Sequence, residues 1–262
     1  MKQRIAITGA SRGLGAALAK RLAGQGRHLF LCARDISDVG ELSGVLTSKG
    51  SSIEWAKVDV GDTPQIIEWI ETVWDTGPID TLILNAGQFD GRGEDGRLES
   101  PERAAALLAT NLTGTVAPAL KFAEKMRERN SGHIVFISSL ASFAAHADAP
   151  TYSASKAGVT SFARALREDL AAYNVRVTLV HSGHIDTLQA RQHIGAMPGL
   201  VTSDVAADRI VKGMLRGQNE INFPRTLRLG LAFMAMLPWR LRAKLNRRFR
   251  FRVRPPKESG PS

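Results

Sequence analysis

The sequence of 262 residues has little cysteine and no long apolar run. Its single cysteine, Cys32, excludes an internal disulfide and is typical of reducing compartments. The histidines form no cluster with metal-ligand spacing, so no metal site is expected. The apolar residues 5–7 are too few for a signal peptide, and residues 229–239 form an apolar run of eleven residues, whereas a spanning helix needs about 20. We therefore expect a cytoplasmic protein without a transmembrane helix.

Acidic residues are absent from a long stretch near the C-terminus. Residues 225–257 hold eleven Lys or Arg and no Asp or Glu, which leaves 24 basic and 25 acidic residues elsewhere. The net charge of +10 therefore belongs to this stretch. We expect one folded domain over residues 1–224, long enough to bury a sizeable core, and a basic tail over residues 225–262.

A phenol, an ammonium and a hydroxyl are spaced for proton transfer. Tyr152 and Lys156 are four residues apart, so on a helix their side chains share one face. The lysine charge favours the phenolate and is expected to lower the tyrosine pKa from about 10. Ser139, thirteen residues before Tyr152, can polarise a carbonyl beside the same oxygen. These groups can transfer protons on a carbonyl/alcohol pair, while another group must carry the electrons.

A glycine-rich turn after the first predicted strand, residues 3–8, is the candidate site for that group. The turn is Gly9-Ala10-Ser11-Arg12-Gly13-Leu14-Gly15, and an amphipathic helix follows it. Glycines let the backbone approach a pyrophosphate, and free amides with the helix dipole bind its charge. Alone, such a turn is a weak signal, because many glycine turns are only tight turns.

Two arginines indicate which dinucleotide binds. The second predicted strand, residues 28–32, is followed by Ala33 and Arg34. An acidic residue at this place holds the ribose 2′-hydroxyl of NAD, whereas arginine accommodates the 2′-phosphate of NADP. Arg34, together with Arg12, favours NADP(H) over NAD(H). A one-residue shift in the strand end would instead bring in Asp35 and favour NAD(H).

Strands that alternate with helices predict a doubly wound parallel α/β sheet. Further strands are expected at residues 53–58, 79–84, 132–138, 175–180 and 220–223, and helices at 38–48, 63–74, 101–129, 152–173 and 203–215. Ligands of such sheets bind at the carboxyl ends of the strands. Asp59, Asn85 and Ser139 all come at predicted strand ends. Residues 188–200 have the composition of a segment that covers a ligand site, and this segment is called the lid below.

Together these residues resemble the short-chain dehydrogenase/reductase family, classical type, over residues 3–224. The motifs that carry the resemblance are Thr8-Gly9-Ala10-Ser11-Arg12-Gly13-Leu14-Gly15, Asp59, Asn85-Ala86-Gly87, Asn111, Ser139 and Tyr152-x-x-x-Lys156. Each motif is modest, but the ordered set is specific. The resemblance implies a Rossmann-like, seven-stranded parallel sheet flanked by helices, with strand order 3-2-1-4-5-6-7 and a nicotinamide cofactor over the strand ends.

The resemblance also implies a role for each site residue. Tyr152 would be the acid/base, Lys156 would bind the nicotinamide ribose, and Ser139 would hold the substrate oxygen. Asn111 would support a water linked to Lys156. The implied cofactor contacts are Gly9, Ser11, Arg12, Gly13, Leu14, Gly15, Arg34, Asp59, Val60, Asn85, Ala86, Gly87, Tyr152, Lys156 and Thr187. The implied function is an NADP(H)-dependent oxidoreductase that interconverts a carbonyl and an alcohol, in a homo-oligomer (dimer or tetramer).

Two residues depart from the family pattern. Leu84 stands where an asparagine is common, which is tolerated. Ser182 replaces a proline after the sixth strand, which is expected to loosen the backbone and the position of Thr187. The substrate stays open among partly apolar acyl, lipid-linked, steroid-like or sugar compounds. The alternative function is a catalytically silent, cofactor-binding regulatory protein, although the complete catalytic set argues against it.

The basic C-terminal extension is amphipathic. Its apolar residues are Leu227, Leu229, Leu231, Phe233, Met234, Met236, Leu237 and Trp239, then Leu241, Leu245 and Phe249 at four-residue spacing. An apolar face with a cationic flank is typical of a helix in a membrane interface, so an anionic membrane surface is an expected partner. The alternative is packing on a neighbouring subunit with a solvated basic end. Nucleic acid is a distant third, because no recognition fold surrounds Phe249 and Phe251.

Overall fold

Strands and helices alternate along the chain, as the sequence predicts. The structure, a computed structural model, describes residues 3–247 and 250–254. Its elements are β1 (Gln3–Thr8), α1 (Gly13–Leu22), β2 (Arg27–Ala33), α2 (Gly40–Ser48), β3 (Ser52–Lys57), α3 (Thr63–Asp75), β4 (Thr81–Leu84), α4 (Pro101–Leu108), α5 (Gly114–Glu128), β5 (Gly132–Ser139), α6 (Pro150–Asp169), β6 (Val175–Ser182), β7 (Ile185–Asp186), β8 (His193–Ile194), β9 (Val201–Thr202), α7 (Ser203–Leu215), β10 (Glu220–Phe223), α8 (Arg225–Met236), α9 (Trp239–Asn246) and β11 (Arg252–Val253).

The central sheet has seven strands in the order β10-β6-β5-β4-β1-β2-β3. Every neighbouring pair in it is parallel. Read from the β3 edge, this is the order 3-2-1-4-5-6-7, so the predicted Rossmann-like, doubly wound sheet is confirmed. All four residues of β4 are buried, because a parallel sheet is covered on both faces.

The two faces of the sheet carry separate apolar cores. Ile5 and Ile7 of β1 pack with α1, α2 and α7, whereas Ala6 between them packs with α3, α5 and α6 on the other face. Full burial of a side chain such as Ile7 stabilises the fold by about 1.5–3 kcal/mol. Since helices cover both faces, the carboxyl ends of the strands are the edge where a ligand can bind.

Two helices differ in detail from the prediction. The helix predicted over residues 63–74 ends at Asp75, and its N-cap is Asp62 rather than Thr63. The Asp62 carboxylate accepts a hydrogen bond from the Gln65 amide at 3.1 Å. Aspartate is the stronger capping residue of the two. The helix predicted over residues 101–129 is interrupted by a π-helical turn, Ala109–Thr113, between α4 and α5. Such turns often mark functional sites, and this one carries Asn111.

The C-terminal extension forms two helices and then returns to the body. Pro238 lies between α8 and α9. Beyond them, β11 pairs antiparallel with β8, so that Val253 lies opposite His193. The main sheet therefore ends at Phe223, but residues 250–254 pack on the domain again. Arg248, Phe249 and residues 255–262 lie outside the described residues, and none of the helices in the described ranges is long and apolar enough to cross a membrane.

Candidate active site

The glycine turn between β1 and α1 leaves no space for side chains at two of its glycines. A Cβ on Gly15 would lie 2.0 Å from the carbonyl oxygen of Gly9, and one on Gly9 would lie 2.8 Å from the Cα of Ala86. Gly9 and Gly13 have φ values of 64° and 56°, which favour glycine. The N-cap residue Arg12 makes no side-chain cap bond, so no side chain competes for the first amides of α1. The turn therefore fits a pyrophosphate.

The end of β4 holds this turn in place. The side-chain amide of Asn85 donates to the carbonyls of Thr8 and Gly9, both at 3.0 Å. The Thr8 hydroxyl accepts hydrogen bonds from the amides of Asn85 and Ala86 at 3.0 and 3.1 Å. The Asn85 side chain thus positions the glycine turn. Sequence reasoning missed Thr8 in this role, although it directly precedes the turn.

The exposed end of β2 carries the residues that bear on cofactor choice. The strand runs to Ala33, one residue beyond the predicted end. This shift makes Arg34 the residue directly after the strand, and Asp35 comes second. The Asp35 carboxylate accepts hydrogen bonds from the Ser37 hydroxyl at 2.6 Å and the Ser37 amide at 2.9 Å. These bonds lower the pKa of Asp35, and the Arg12 charge lowers it further. Arg12 and Arg34 are both exposed.

The three predicted catalytic side chains meet at the carboxyl edge of the sheet. Ser139 is the last residue of β5, and Tyr152 and Lys156 lie in the first two turns of α6. The Ser139 hydroxyl lies near enough to the Tyr152 phenol to lower its pKa. The Lys156 ammonium lies 5.9 Å from the centre of the Tyr152 ring and donates to the Ile137 carbonyl at 3.1 Å.

Burial controls the protonation of this pair. It raises the pKa of Tyr152, an effect that the neighbouring Ser139 hydroxyl partly offsets. It lowers the pKa of Lys156 to about 8. The predicted lowering of the tyrosine pKa by Lys156 is therefore wrong for this structure, because loss of phenolate solvation outweighs the attraction of a distant ammonium. A phenol that stays protonated at neutral pH is suited to donate a proton.

Asn111 is fully buried in the π-helical turn. Its side-chain amide donates to the Gln88 carbonyl at 2.9 Å and the Ser155 hydroxyl at 3.1 Å, and its oxygen accepts from the Gln88 amide at 2.6 Å. A Cβ on Gly87 would lie 3.4 Å from both the Asn111 Oδ1 and the Lys156 Nζ. Asn111 therefore lies beside Lys156 and joins the loop after β4 to α6.

Thr187 lies against the glycine turn. Its Cγ2 is 3.1 Å from the position of a Cβ on Gly13, and its hydroxyl accepts a hydrogen bond from the Ala190 amide at 3.1 Å. Ser182, predicted to loosen this region, is held by the sheet. It is buried in the last position of β6, and its hydroxyl donates to the Ser138 carbonyl at 3.3 Å.

The remaining predicted cofactor residues lie around the same strand ends. The Asp59 carboxylate accepts a hydrogen bond from the Gly61 amide at 2.9 Å, and Val60 packs against the start of α5, where a Cβ on Gly114 would lie 2.5 Å from the Val60 carbonyl oxygen. Leu14 is buried in the core, so only its backbone is available to a ligand.

Comparison with known proteins agrees with this arrangement. A family model described as short chain dehydrogenase matches residues 3–197. The chain belongs to the short-chain dehydrogenase family. An uncharacterized oxidoreductase of Myxococcus xanthus is 34% identical over 233 residues, covering 88% of this chain and 91% of that protein. The 3-dehydrosphinganine reductase TSC10B of Arabidopsis thaliana is 33% identical over 209 residues, covering 78% and 61%.

Solved structures of other short-chain dehydrogenases share the fold. The enzyme of Sphingobium yanoikuyae, in complex with NADPH, aligns with a TM-score of 0.77 and 25% identity over 85% of this chain and 88% of that one. NAD+-bound xylitol dehydrogenase aligns with a TM-score of 0.65 and 26% identity over 70% and 71%. This short-chain dehydrogenase is therefore an oxidoreductase of a family that binds NAD(P).

Sequence reasoning missed an aromatic layer beside Tyr152 of this dehydrogenase. The ring of Phe89 meets the Tyr152 ring edge-on, with centroids 5.0 Å apart. The tilted rings of His193 and Phe251 have centroids 4.6 Å apart, and the Phe251 ring lies 6.0 Å from that of Phe89. Phe89 lies two residues after Gly87, where the motif ends, so its position in the sequence could have indicated that it lies near the site. No local pattern brings Phe251 to the site.

Proposed function

We propose that this short-chain dehydrogenase interconverts a carbonyl compound and an alcohol with NADP(H), and that Tyr152 transfers the proton. The observation that carries the proposal is the meeting of Ser139, Tyr152 and Lys156 at the strand ends. The glycine turn that fits a pyrophosphate lies at the same edge, since Thr187 and Asn85 both contact it.

The side chains divide the reductive reaction between them. When bound, a reduced nicotinamide would supply the hydride that the carbonyl carbon accepts. Ser139 donates a hydrogen bond to the carbonyl oxygen, and Tyr152 gives its proton to that oxygen as the π bond opens, so the product is a neutral alcohol. The raised pKa of Tyr152 keeps this proton in place at neutral pH. Lys156, with a pKa of about 8, stabilises the phenolate that remains.

The preference for NADPH over NADH is supported by the exposed arginines at the end of β2 and in the glycine turn. Guanidinium groups form charge-assisted hydrogen bonds with a phosphate, and Arg12 and Arg34 are available for the 2′-phosphate. Asp35, the residue that would favour NAD, already accepts two hydrogen bonds from Ser37. The NADPH complex of the Sphingobium enzyme also supports this preference.

The substrate that we propose is a ketone with an apolar substituent. The aromatic layer next to Tyr152 supports an apolar group at the reacting carbon. The name of the Arabidopsis relative, a 3-dehydrosphinganine reductase, supports a lipid-like ketone among these compounds. Fold alone does not choose among lipid-linked, acyl, steroid-like and sugar substrates.

A panel of carbonyl compounds tests this function. Consumption of NADPH is followed by absorbance with lipid-like, steroid-like, acyl and sugar carbonyls, and each is repeated with NADH. We expect consumption with at least one apolar ketone and faster turnover with NADPH. Tight NADPH binding without consumption across the panel would instead support the catalytically silent, regulatory alternative.

We also propose that α8 and α9 dock the enzyme on an anionic bilayer surface. Exposed apolar side chains support this proposal: Leu229 (70% exposed), Phe233 (60%), Met236 (76%) and Trp239 (68%). The exposed basic residues of the same helices are Arg225, Arg240 and Lys244. An apolar stripe with basic neighbours and no acidic residue matches the interface of an anionic membrane.

Homo-oligomer formation through α4, α5 and α6 stays a prediction, which light scattering would test.

A further inference from the structure

We propose that residues 250–254, here called the roof strand, form one wall of the substrate pocket, and that Phe251 in this strand sets the size of the substituent that the pocket accepts. The inference rests on the proposed ketone reduction at Tyr152. It adds a specificity residue from the far end of the chain, 99 positions beyond the proton donor.

Aromatic contacts connect the roof strand to Tyr152. Phe89 lies edge-on to the Tyr152 ring, with an interplanar angle of 86°. Phe251 continues this layer at 6.0 Å from Phe89 and packs at a tilt against His193 of the lid, with centroids 4.6 Å apart. His146 is the last ring of this layer, and its centroid lies 6.2 Å from that of Phe251. A substituent on a carbonyl held at the Tyr152 phenol must therefore fit against these rings.

Backbone hydrogen bonds hold the roof strand on both sides. The Val253 amide donates to the Arg92 carbonyl in the loop after β4, and the Arg254 amide donates to the Gln192 carbonyl in the lid, both at 2.8 Å. Val253 is only 1% exposed. The roof strand therefore lies between the lid and the loop that carries Phe89, and it fixes the distance between them.

A buried carboxylate anchors the roof strand to the catalytic helix. Asp148 is 2% exposed and lies two residues before α6 begins at Pro150. It accepts a hydrogen bond from the Phe251 amide at 3.2 Å. It also pairs with guanidinium groups of Arg92 at 2.8 Å, Arg250 at 3.3 Å and Arg252 at 3.7 Å. A buried charge needs such partners, so Asp148 ties the position of Phe251 to that of Tyr152.

The roof strand forms an apolar wall of the pocket. The guanidinium groups of the roof strand that pair with Asp148 are used in anchoring it, whereas the Phe251 ring belongs to the layer beside Tyr152. The pocket would therefore discriminate between ketones by the volume of an apolar substituent. Differences of this kind change kcat/KM by about 10- to 200-fold.

Two opposite substitutions of Phe251 test the inference. The measured quantity is the ratio of kcat/KM values for two ketones that differ only in the bulk of one apolar substituent. We expect Phe251→Ala to shift this ratio toward the bulky ketone by about 10-fold or more, and Phe251→Trp to shift it toward the small one. Leu215→Ala is the control, because Leu215 is 77% exposed at the end of α7; its ratio should equal that of the wild type. An unchanged ratio in both Phe251 variants would overturn the inference.

Amide hydrogen exchange of the full-length protein provides a readout that does not depend on activity. The Val253 and Arg254 amides should be protected in the wild type and should exchange faster in Asp148→Asn, while amides of β5 stay protected. Free exchange at Val253 and Arg254 in the wild type would overturn the inference even if ketones are reduced. Protected amides in an enzyme that reduces no ketone would instead contradict the proposed function, and with it the role of Phe251 in specificity.

Discussion

At the scale of single residues, the glycine turn is where a side chain is tolerated least. Gly15→Ala would place a Cβ 2.0 Å from the Gly9 carbonyl oxygen, and this backbone cannot move without changing the path from β1 to α1. We expect NADPH binding to weaken about 10-fold or more, which corresponds to about 1.4 kcal/mol, and the melting temperature to fall. Cofactor titration and thermal unfolding measure both effects.

The control for this substitution is Gly44→Ala in α2, where a Cβ would meet nothing within 4 Å. Alanine is favoured over glycine in a helix by about 1 kcal/mol. Gly44→Ala should therefore bind NADPH like the wild type and be at least as stable. Equal cofactor affinity in the Gly15 and Gly44 variants would contradict the role of the turn.

Cofactor choice is also decided by single side chains. Replacing Arg12 and Arg34 together by alanine removes the groups that we expect to bind the 2′-phosphate. The affinity for NADPH should fall by about 10-fold or more, because hydrogen bonds to charged groups contribute about 1.5–3 kcal/mol. NADH affinity should change little. Fluorescence titration with both cofactors checks this, and a wild type that binds the two equally would point to Asp35 as the deciding residue.

At the scale of elements, two neighbouring strands of the central sheet carry buried histidines. His133 of β5 is hydrogen-bonded to Thr178 of β6 at 2.9 Å, and burial lowers its pKa to about 4. His181 of β6 is fully buried, and burial lowers its pKa to about 4 as well. An unfolded histidine has a pKa of 6.5, so below that value the unfolded chain binds more protons than the folded one.

The free energy of unfolding should therefore be highest above pH 6.5 and fall as the pH drops toward about 4, by about 1.4 kcal/mol per pH unit for each histidine. His133→Gln cannot titrate and should remove one of these two contributions. Urea unfolding of both proteins at about pH 7 and about pH 5 measures the difference. A variant that loses as much stability as the wild type over this interval would show that His133 is not the group responsible.

The elements also show what a sequence can predict. Strand alternation predicted a doubly wound parallel sheet, because helix and strand periodicity are local properties. The strand order, and the grouping of Ser139, Tyr152 and Lys156 in one site, followed from the family resemblance. The pairing of β11 with β8 was not predictable. These strands have two residues each and lie far apart in the chain, so no periodic pattern marks them. Asp148 was missed for the same reason, since its partners come from distant loops.

At the scale of the whole molecule, charge and exposed apolar surface are concentrated in the C-terminal extension. The double substitution Phe233→Ser and Trp239→Ser removes two side chains that are 60% and 68% exposed. It leaves the basic residues and the roof strand unchanged. The wild type should co-sediment with anionic vesicles at low salt, and binding should fall at high salt and in the double variant.

Neutral vesicles are the control, and they should bind less protein because the basic residues add about 1 kcal/mol each only near an anionic surface. A wild type that stays in the supernatant with anionic vesicles at low salt would show that the membrane proposal is wrong. If light scattering then gave an oligomer that the double variant breaks, the apolar stripe would pack on a neighbouring subunit.

Transfer of deuterium is the most direct test of the central claim. The enzyme is given an accepted ketone and NADPH that is deuterated at the transferable position, and the alcohol is analysed by mass spectrometry. The wild type should give an alcohol with one deuterium at the former carbonyl carbon. Tyr152→Phe should still bind NADPH but form this alcohol about 10²- to 10⁴-fold more slowly. An alcohol without deuterium, or a Tyr152→Phe variant with the wild-type rate, would contradict the account.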